Sequence, residues 1–254
     1  MVRMGWIVVL ACSLWLPAPV SARGAGGPAS AVSVAEADWP GTITLAVDAS
    51  DVSRRIQRVH ERIPVRPGPL TLWYPQWIPG NHAPTGPINQ LAGLVISGNG
   101  ARIAWRRDAV DMYAFHLEVP ANVTALDVEF QYLSPTSDAQ GRVAMTPALL
   151  SLQWHRVLLY PAGFDARRIR FAPSLTLPAG WQFGTALDVV SREGDTVRFA
   201  PVALVDLVDS PLYAGRWFKR YDLDPGARQP VHLDVVADAP EQLVLAPHQV
   251  GLAH

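Results

Sequence analysis

The sequence contains few of the residues that build thiol sites or strongly charged surfaces. Its one cysteine is Cys12, which excludes a disulfide framework or a multi-cysteine zinc site within the chain. Charged residues make up 17% of the chain, below the roughly 25% that is usual for soluble domains. Lys219 is the sole lysine, and no basic stripe or acidic tail is present. The composition therefore argues against a nucleic-acid partner.

Sequence motifs for common hydrolytic and nucleotide chemistry are also missing. His60 and Glu61 begin a zinc-peptidase pattern, but Pro64 occupies the position of the second histidine and cannot ligate zinc. There is no Gly-x-Ser-x-Gly elbow and no Walker loop, and the Gly98-Asn99-Gly100 segment lacks the third glycine of a dinucleotide fingerprint. The motifs thus predict no catalytic residue, no metal ligand and no cofactor in this chain.

The N-terminus has the pattern of a secretory signal. Arg3 precedes an apolar run over residues 6–16, and Val20-Ser21-Ala22 supplies small residues for cleavage. The run is too short to span a bilayer as a mature helix. We therefore predict a signal peptide over residues 1–22, a linker over 23–38, and a secreted or periplasmic protein with no membrane span after cleavage. A lipoprotein cleavage box ending at Cys12 is the alternative.

Short alternating segments follow the linker. In residues 124–132, Leu126, Val128 and Phe130 point to one side and polar residues to the other, which indicates a sheet with one solvated face. Residues 149–160 read as one longer, more central strand, and helical turns are expected only near residues 201–206 and after Pro240. With 23 prolines and no long helices between strands, the chain is predicted to be all-β and mainly antiparallel, as a β-sandwich or a saddle.

Pairs of residues on strands and scattered carboxylates leave weaker possibilities open. His116 with Glu118, and His232 with Asp234, share a strand face at two-residue spacing. A salt-paired sheet face is the favoured interpretation of each pair, because no third metal ligand can be placed. Trp105 and Trp154 alternate in phase with aliphatic residues, which favours core positions. A carboxylate pair of an unrelated hydrolase remains a remote alternative.

Two segments resemble a known family. Residues 74–87, with Trp77, Pro79 and Gly80 at their centre, resemble the aromatic-Pro-x-Trp-x-Pro-Gly turn in the N-terminal domain of the glycyl aminopeptidases, metallopeptidase family sixty-one. Residues 204–215 are similar to the Leu-x-Asp-Ser-Pro segment of the same family. The two segments occur in the family's order, and the resemblance covers nearly the whole chain after the leader.

The resemblance implies a three-part parent: this β-rich domain, a thermolysin-like zinc domain and a PDZ domain. Members are zinc exopeptidases whose ligands come from a His-Glu-x-x-His helix and a downstream glutamate, and none of these can be matched here. Residues 39–238 are thus expected to be the β-rich domain, and 239–254 the start of a connection to a missing catalytic domain. The implied function is a scaffold or substrate-cleft domain of a secreted aminopeptidase, inactive as this fragment, with zinc held by the parent.

The proline-rich segment supplies the candidate site. Trp77, Pro79, Gly80, Asn81 and His82 are expected to line the parent's substrate cleft and contact peptide, because binding residues concentrate on loops held by rigid sheets. Pro79 and Gly80 should set a tight bend there. The alternative function is a stand-alone secreted β-sandwich that binds carbohydrate or peptide through Trp77.

The second motif is expected to be structural. Asp206, Asp209, Ser210 and Pro211 form its polar part, and an Asx or Ser turn is predicted there, in which a side-chain oxygen accepts a hydrogen bond from a free backbone amide.

Overall fold

Alternating apolar and polar residues form the strands of this protein. The structure is a computed structural model, and it describes residues 37–224, 226–228 and 231–245. The predicted signal peptide, Cys12, most of the linker and the last nine residues lie outside the described residues. So do His248 and His254. The domain boundaries at 39 and 238 stay predictions. The described residues belong to a single compact unit, Val34–His254.

The described chain consists of short strands, one short α-helix and several 3₁₀ turns. In chain order, the elements are β1 (Thr42–Asp48), β2 (Ile56–Pro64), β3 (Gly68–Trp73), β4 (Leu91–Gly98), β5 (Ala101–Arg102), β6 (Trp105–Arg107), β7 (Ala114–Val119), β8 (Ala125–Leu133), β9 (Leu149–Leu152), β10 (Tyr160–Pro161), β11 (Arg170–Thr176), β12 (Gln182–Thr185), β13 (Val189–Glu193), β14 (Thr196–Phe199), β15 (Val202–Ala203), α1 (Leu204–Val208), β16 (Leu212–Gly215), β17 (Trp217–Asp222) and β18 (His232–Ala237).

These strands form one large sheet and three small ones. The large sheet has nine strands in the order β13-β14-β11-β1-β2-β8-β4-β5, with β15 paired to β11. Only β1 and β11 are parallel among the described strand pairs. The small sheets are β10-β3-β7-β6, β12-β16-β9 and β17-β18. The prediction of an all-β, mainly antiparallel fold is confirmed.

One hydrophobic core joins the large sheet to two of the small ones. It includes Ile43 of β1, Leu72 of β3, Phe115 of β7 and Leu150 of β9. Strand β8 presents its apolar residues to this core, as its alternation predicts, while Glu129 on the same strand is exposed. Layers that bury one face and leave the other solvated are the arrangement of a β-sandwich.

The Gly98-Asn99-Gly100 segment forms a tight hairpin between β4 and β5. Asn99 and Gly100 have φ values of +52° and +79°, the left-handed region that two-residue hairpin turns require. A side chain at Gly98 would lie 2.7 Å from Cγ1 of Val123. The Asn-Gly pair thus supplies the turn of the hairpin, and Gly98 permits close packing against Val123.

The prediction of one strand over residues 149–160 is wrong. The segment forms β9, then a 3₁₀ turn over Trp154–Arg156, then the two-residue β10. Val157, Leu158 and Leu159 are buried without being strand residues. A run of apolar residues indicates that a segment is buried, but burial alone does not distinguish a strand from an irregular core segment.

The predicted helical turns are found with shifted bounds. They correspond to α1 and to a 3₁₀ turn over Pro240–Leu243. In the described part of the chain, no helix is long and apolar enough to cross a membrane. Trp154 is fully buried, as predicted, whereas Trp105 is half-buried and packs edge-on against Phe115 at 5.4 Å between ring centroids.

Candidate functional site

The proline loop, residues 75–87, begins with a tight turn. The backbone N–H of Asn81 donates to the carbonyl of Ile78 at 3.0 Å. Pro79 and Gly80 are the two central residues, and Gly80 has a φ of +80°. A proline followed by a residue of positive φ is the signature of a type II turn. The predicted bend at Pro79 and Gly80 is confirmed.

The two arms of the proline loop pair with each other. Trp77 and Pro84 form an antiparallel bridge, and the N–H of Gly86 donates to the carbonyl of Gln76 at 3.0 Å. A Cβ at Gly86 would overlap the carbonyl oxygen of Pro75. Glycine is thus required at this position because the arms approach too closely for any side chain.

Further hydrogen bonds hold the loop's conformation. The Asn81 amide donates to the Thr85 hydroxyl at 2.7 Å. The Tyr113 hydroxyl, just before β7, donates to the carbonyl of Gly86 at 2.9 Å. The loop is therefore a folded element that is tied to the four-stranded sheet. Preformed loops of this kind can present binding groups at low entropic cost.

A cleft of about 500 Å³ lies beside the proline loop. This size is within the usual range of ligand sites. Its walls come from the proline loop, from β8 and the segment after it, and from the 3₁₀ turn that follows β9. Its lining residues are Ile78, Pro79, Asn81, Thr85, Gly86, Pro87, Asn89, Gln90, Tyr132, Pro135, Gln140, Gly141, Arg142, Ala144, Ser151, Gln153, His155 and Arg156.

The five loop residues that the sequence predicts for the site do not all lie in the cleft. Pro79 and Asn81 line the cleft. Gly80 and His82 are exposed and are not among its lining residues. Trp77 is 65% exposed and lines a separate aromatic pocket. The prediction of contact with peptide stays a prediction for all five.

The cleft is electropositive. Arg142 and Arg156 line it, and no aspartate or glutamate does. Neither arginine has a carboxylate within 4 Å in the part of the chain that the structure describes. Arg156 lies over the ring of Tyr132, with the guanidinium carbon 5.9 Å from the ring centroid. Two uncompensated cations favour ligands that carry negative charge or exposed carbonyl oxygens.

His155 is a neutral hydrogen-bonding group in the cleft wall. It is 6% exposed, and burial, aided by the charge of Arg156, lowers the pKa of His155 to about 4. Its Nδ1 has no hydrogen-bond partner among the described residues, and the same holds for Nε of Arg156. Unpaired buried polar atoms are costly, and both of these atoms lie inside the wall, out of reach of a ligand in the cleft.

Sequence reasoning missed the second wall of the cleft. Gln153, His155 and Arg156 are missed because the sequence pattern of residues 149–160 predicts one strand. Arg142 lies before that segment, and no motif in the sequence points to it. A signal was present: three polar residues surround Trp154 within an otherwise apolar segment, and they interrupt its alternation. Such an interruption is more typical of a turn than of a central strand.

Two buried groups fix the segment that carries His155 and Arg156. Glu61, on the inner face of β2, accepts a hydrogen bond from the N–H of Leu159 at 2.9 Å. The indole Nε1–H of Trp154 donates to the carbonyl of Ser210 at 2.9 Å. The cleft wall is therefore anchored to the large sheet at one end and to the segment after α1 at the other.

The second sequence motif forms a hydrogen bond other than the predicted one, and its structural role stays a prediction. Ser210 follows α1, and its hydroxyl donates to the carbonyl of Asp206 at 2.7 Å. The predicted turn, in which a side-chain oxygen accepts from an amide, is wrong because the free groups after a helix are carbonyls. Asp209 closes the helix, and its N–H donates to the carbonyl of Val205 at 3.2 Å. Pro211 then leads into β16.

The histidines on the strands form pairs with single carboxylates. His116 contacts Asp108 at 2.9 Å and Thr71 at 2.8 Å. His232 contacts Asp222 at 2.7 Å, whereas Asp234 binds Arg220. Among the described residues, no group of three or more histidine, cysteine, aspartate or glutamate side chains is placed to hold a metal ion. The residues present do not fit the zinc ion that the resemblance implies.

Comparison with known proteins identifies the fold. The family model described as the Peptidase M61 N-terminal domain matches residues 44–216, more than half of the chain. No curated protein sequence is significantly similar to this chain. An aminopeptidase N family protein from Idiomarina loihiensis has a TM-score of 0.62 and 15% identity, over 77% of this chain and 32% of that one.

Two further solved structures match with lower TM-scores. One is an M1 zinc metallopeptidase from Deinococcus radiodurans, with a TM-score of 0.46 and 14% identity over 87% of this chain and 52% of that one. The other is yeast LTA4 hydrolase in complex with bestatin, with a TM-score of 0.45 and 13% identity over 77% and 31%. This chain thus spans about a third to a half of the length of these proteins.

Proposed function

This chain belongs to peptidase family M61, by the N-terminal domain that it contains, and from that premise we propose that it is the non-catalytic scaffold and substrate-cleft domain of a secreted, zinc-dependent aminopeptidase. The proposal includes inactivity of the chain on its own. Zinc is supplied by the catalytic domain of the parent, which together with a PDZ domain is the proposed partner. The leader-like pattern of residues 1–22 supports secretion or a periplasmic location.

The observation that carries the proposal is the composition of the cleft. Its walls combine arginine side chains, amides and a neutral imidazole, with no acidic residue. A peptidase active site needs a metal with its ligands or a nucleophile with its base. Among the described residues the cleft has no group of metal ligands, and its Ser151 and His155 are not hydrogen-bonded to each other. It has donors suited to the carbonyl oxygens and the carboxylate of a peptide. It is therefore equipped to bind a peptide and not to cut one.

Peptide binding by the cleft is tested with the chain alone. We expect a short glycyl peptide to bind saturably in calorimetry or NMR titration, and Arg156→Gln to weaken binding about tenfold, since charge-assisted hydrogen bonds contribute about 1.5–3 kcal/mol. Arg66→Gln is the matched control, because Arg66 is exposed and does not line the cleft. Equal effects of the two variants would contradict a peptide-binding cleft.

Inactivity is tested separately. The purified chain, supplied with zinc, is expected to release no glycine from glycyl-anilide and to retain no stoichiometric zinc after dialysis. Zinc-dependent release by the chain itself would overturn the proposal. This assay does not depend on the cleft variants, so a failure of peptide binding and a gain of catalysis can be distinguished.

A second candidate function is supported by one observation. Trp77 is 65% exposed, although tryptophan is usually highly buried, and exposed tryptophans bind sugar rings or peptide side chains. A stand-alone secreted module for carbohydrate or peptide would bind through this residue. Hits on a glycan or peptide array that are lost in Trp77→Ala would favour this function, and an array without hits would remove it.

A further inference from the structure

A second pocket, separate from the cleft, is built almost entirely from aromatic side chains. It has a volume of about 210 Å³ and shares no lining residue with the cleft. We call it the aromatic pocket; its lining residues are Trp73, Tyr74, Gln76, Trp77, Asp111, Tyr113 and Tyr160. The volume is below the range of drug-sized ligand sites. It suits a single small group.

The four-stranded sheet and the proline loop hold the aromatic rings in place. Trp73 ends β3 and is the register partner of Tyr160 on β10. The two rings meet edge to face, with centroids 6.0 Å apart. The backbone of Trp77 is fixed by its bridge to Pro84, and the ring of Tyr113 by its hydrogen bond to the proline loop. The rings of Trp73, Tyr113 and Tyr160 are thus pre-positioned, which lowers the entropic cost of binding.

One uncompensated carboxylate lies among these rings. Oδ1 of Asp111 accepts a hydrogen bond from the N–H of Tyr113 at 3.0 Å, which orients the carboxylate. In the described part of the chain, Oδ2 has neither a hydrogen-bond partner nor an ion-pair partner. No arginine, lysine or histidine lines the pocket. The pocket therefore has a net negative charge.

The hydroxyl of Tyr160 responds to this charge. Burial, with a contribution from the negative charge of Asp111, raises the pKa of Tyr160 to about 12. Aromatic faces carry negative electrostatic potential as well. Ring faces and a carboxylate in one small pocket attract an organic cation, because the faces supply cation–π attraction and the carboxylate supplies the opposite charge.

We infer that the aromatic pocket binds an alkylammonium group, through the faces of Trp73 and Trp77 and the carboxylate of Asp111. The ammonium can come from the lysine side chain of a peptide or from a free small amine, and both present the same chemistry. A neutral sugar is not the expected ligand, because its hydroxyls can donate hydrogen bonds to Asp111 but leave the negative charge of the pocket unneutralised. The inference concerns a different site from the cleft and does not require peptide binding there.

The experiment uses the full chain and matched probes. Choline is titrated against its neutral carbon isostere, 3,3-dimethyl-1-butanol, and binding is followed by tryptophan fluorescence and by the indole N–H signals in NMR. Saturable binding of choline, at least about tenfold tighter than the isostere, is expected from a desolvated cation–π contact. Nα-acetyl-lysine methylamide, compared with the norleucine analogue, then distinguishes a peptide source from a free amine.

Variants test the two components separately. Trp77→Ala should abolish choline binding. Asp111→Asn should weaken it about five- to tenfold, and it keeps the Tyr113 hydrogen bond because an asparagine oxygen also accepts. Trp217→Ala is the control, since Trp217 is 36% exposed on β17 and does not line the pocket. Arg156→Gln in the cleft should leave choline binding unchanged.

Several outcomes would overturn the inference. Equal affinity for choline and its isostere would show a merely apolar pocket. Unchanged choline affinity in Asp111→Asn would remove the carboxylate from the site. Binding of glucose or cellobiose without binding of choline would assign the pocket to a neutral sugar. If Trp77→Ala fails to fold, the isosteric Asp111→Asn variant still decides the question.

Discussion

Replacing Glu61 by glutamine should make the stability of the protein less dependent on pH. The carboxyl of Glu61 is 0% exposed, on the inner face of β2. Oε1 accepts the N–H of Leu159, and Oε2 has no partner in the described chain. Burial raises the pKa of Glu61 well above its ordinary value of 4.5, and the hydrogen bond from Leu159 only partly opposes this shift.

The sign of the effect follows from proton linkage. A carboxyl with a raised pKa binds its proton more tightly in the folded state, so its contribution to stability is most favourable below the ordinary pKa of 4.5. As the pH rises towards the folded pKa, the free energy of unfolding should fall by about 1.4 kcal/mol for each pH unit. A whole domain is stabilised by only about 5–15 kcal/mol, so this slope is readily measurable.

The assay is urea unfolding of wild type and Glu61→Gln at about pH 4.5, 5.5 and 6.5. Glutamine keeps an acceptor for Leu159 and has no charge to bury, so the variant should gain stability relative to wild type at each step. Glu129→Gln, an exposed change on the other face of the same sheet, is the control. A difference between wild type and Glu61→Gln that stays constant with pH would refute the reasoning.

Three further predictions concern the proline loop, the anchor of the cleft wall and the histidine pair on the four-stranded sheet. Gly86→Ala should destabilise by more than about 2 kcal/mol, because a Cβ there overlaps backbone. Gly80→Ala should cost only about 1 kcal/mol, because its positive φ is strained but the surrounding space is open; equal thermal shifts of the two would contradict this. Trp154→Phe should lower the free energy of unfolding in urea by about 1–3 kcal/mol, because it leaves the part-buried carbonyl of Ser210 without its indole donor; a loss within about 0.5 kcal/mol would count against that anchor. Amide N–H groups of Asp111 and Val110, with His116, hold the pKa of Asp108 far below its usual range, so its contribution to stability exists above the unfolded pKa and is lost as pH falls. Asp108→Asn should therefore be less stable than wild type at about pH 7, and the gap should close towards about pH 2; a gap that persists would be inconsistent with this.

The strands of this fold could be predicted where only one face is buried. Strand β8 alternates cleanly because its polar residues face solvent, and the turn at Asn99 and Gly100 follows from local backbone preferences. Residues 149–160 could not be assigned in this way, since most of their apolar side chains enter the core in strand and non-strand segments alike. Their course is set by Glu61 and by the Ser210 carbonyl, which are distant in the sequence.

Only one of the two walls of the cleft could be predicted from the sequence. Pro79 and Gly80 indicate the turn of the proline loop in the sequence, because their backbone angles are local properties. The opposite wall, with His155 and Arg156, depends on which segments the sheets bring together, and no spacing in the sequence encodes that. The same limit of sequence-based prediction applies to Trp77. Its position in the proline loop could be predicted from the sequence, but its 65% exposure and its neighbours in the aromatic pocket could not.

The pairing of β1 with β11 has a consequence for how the protein acquires its structure. Thr42 of β1 pairs with Arg170 of β11. Strand β1 is therefore synthesised long before β11, with which it pairs. Until then one side of β1 presents unpaired backbone groups, which other chains can join. Contacts so distant along the chain form slowly. Maturation of this domain should therefore be slow, and it should benefit from a holding chaperone that covers β1 until the sheet is completed.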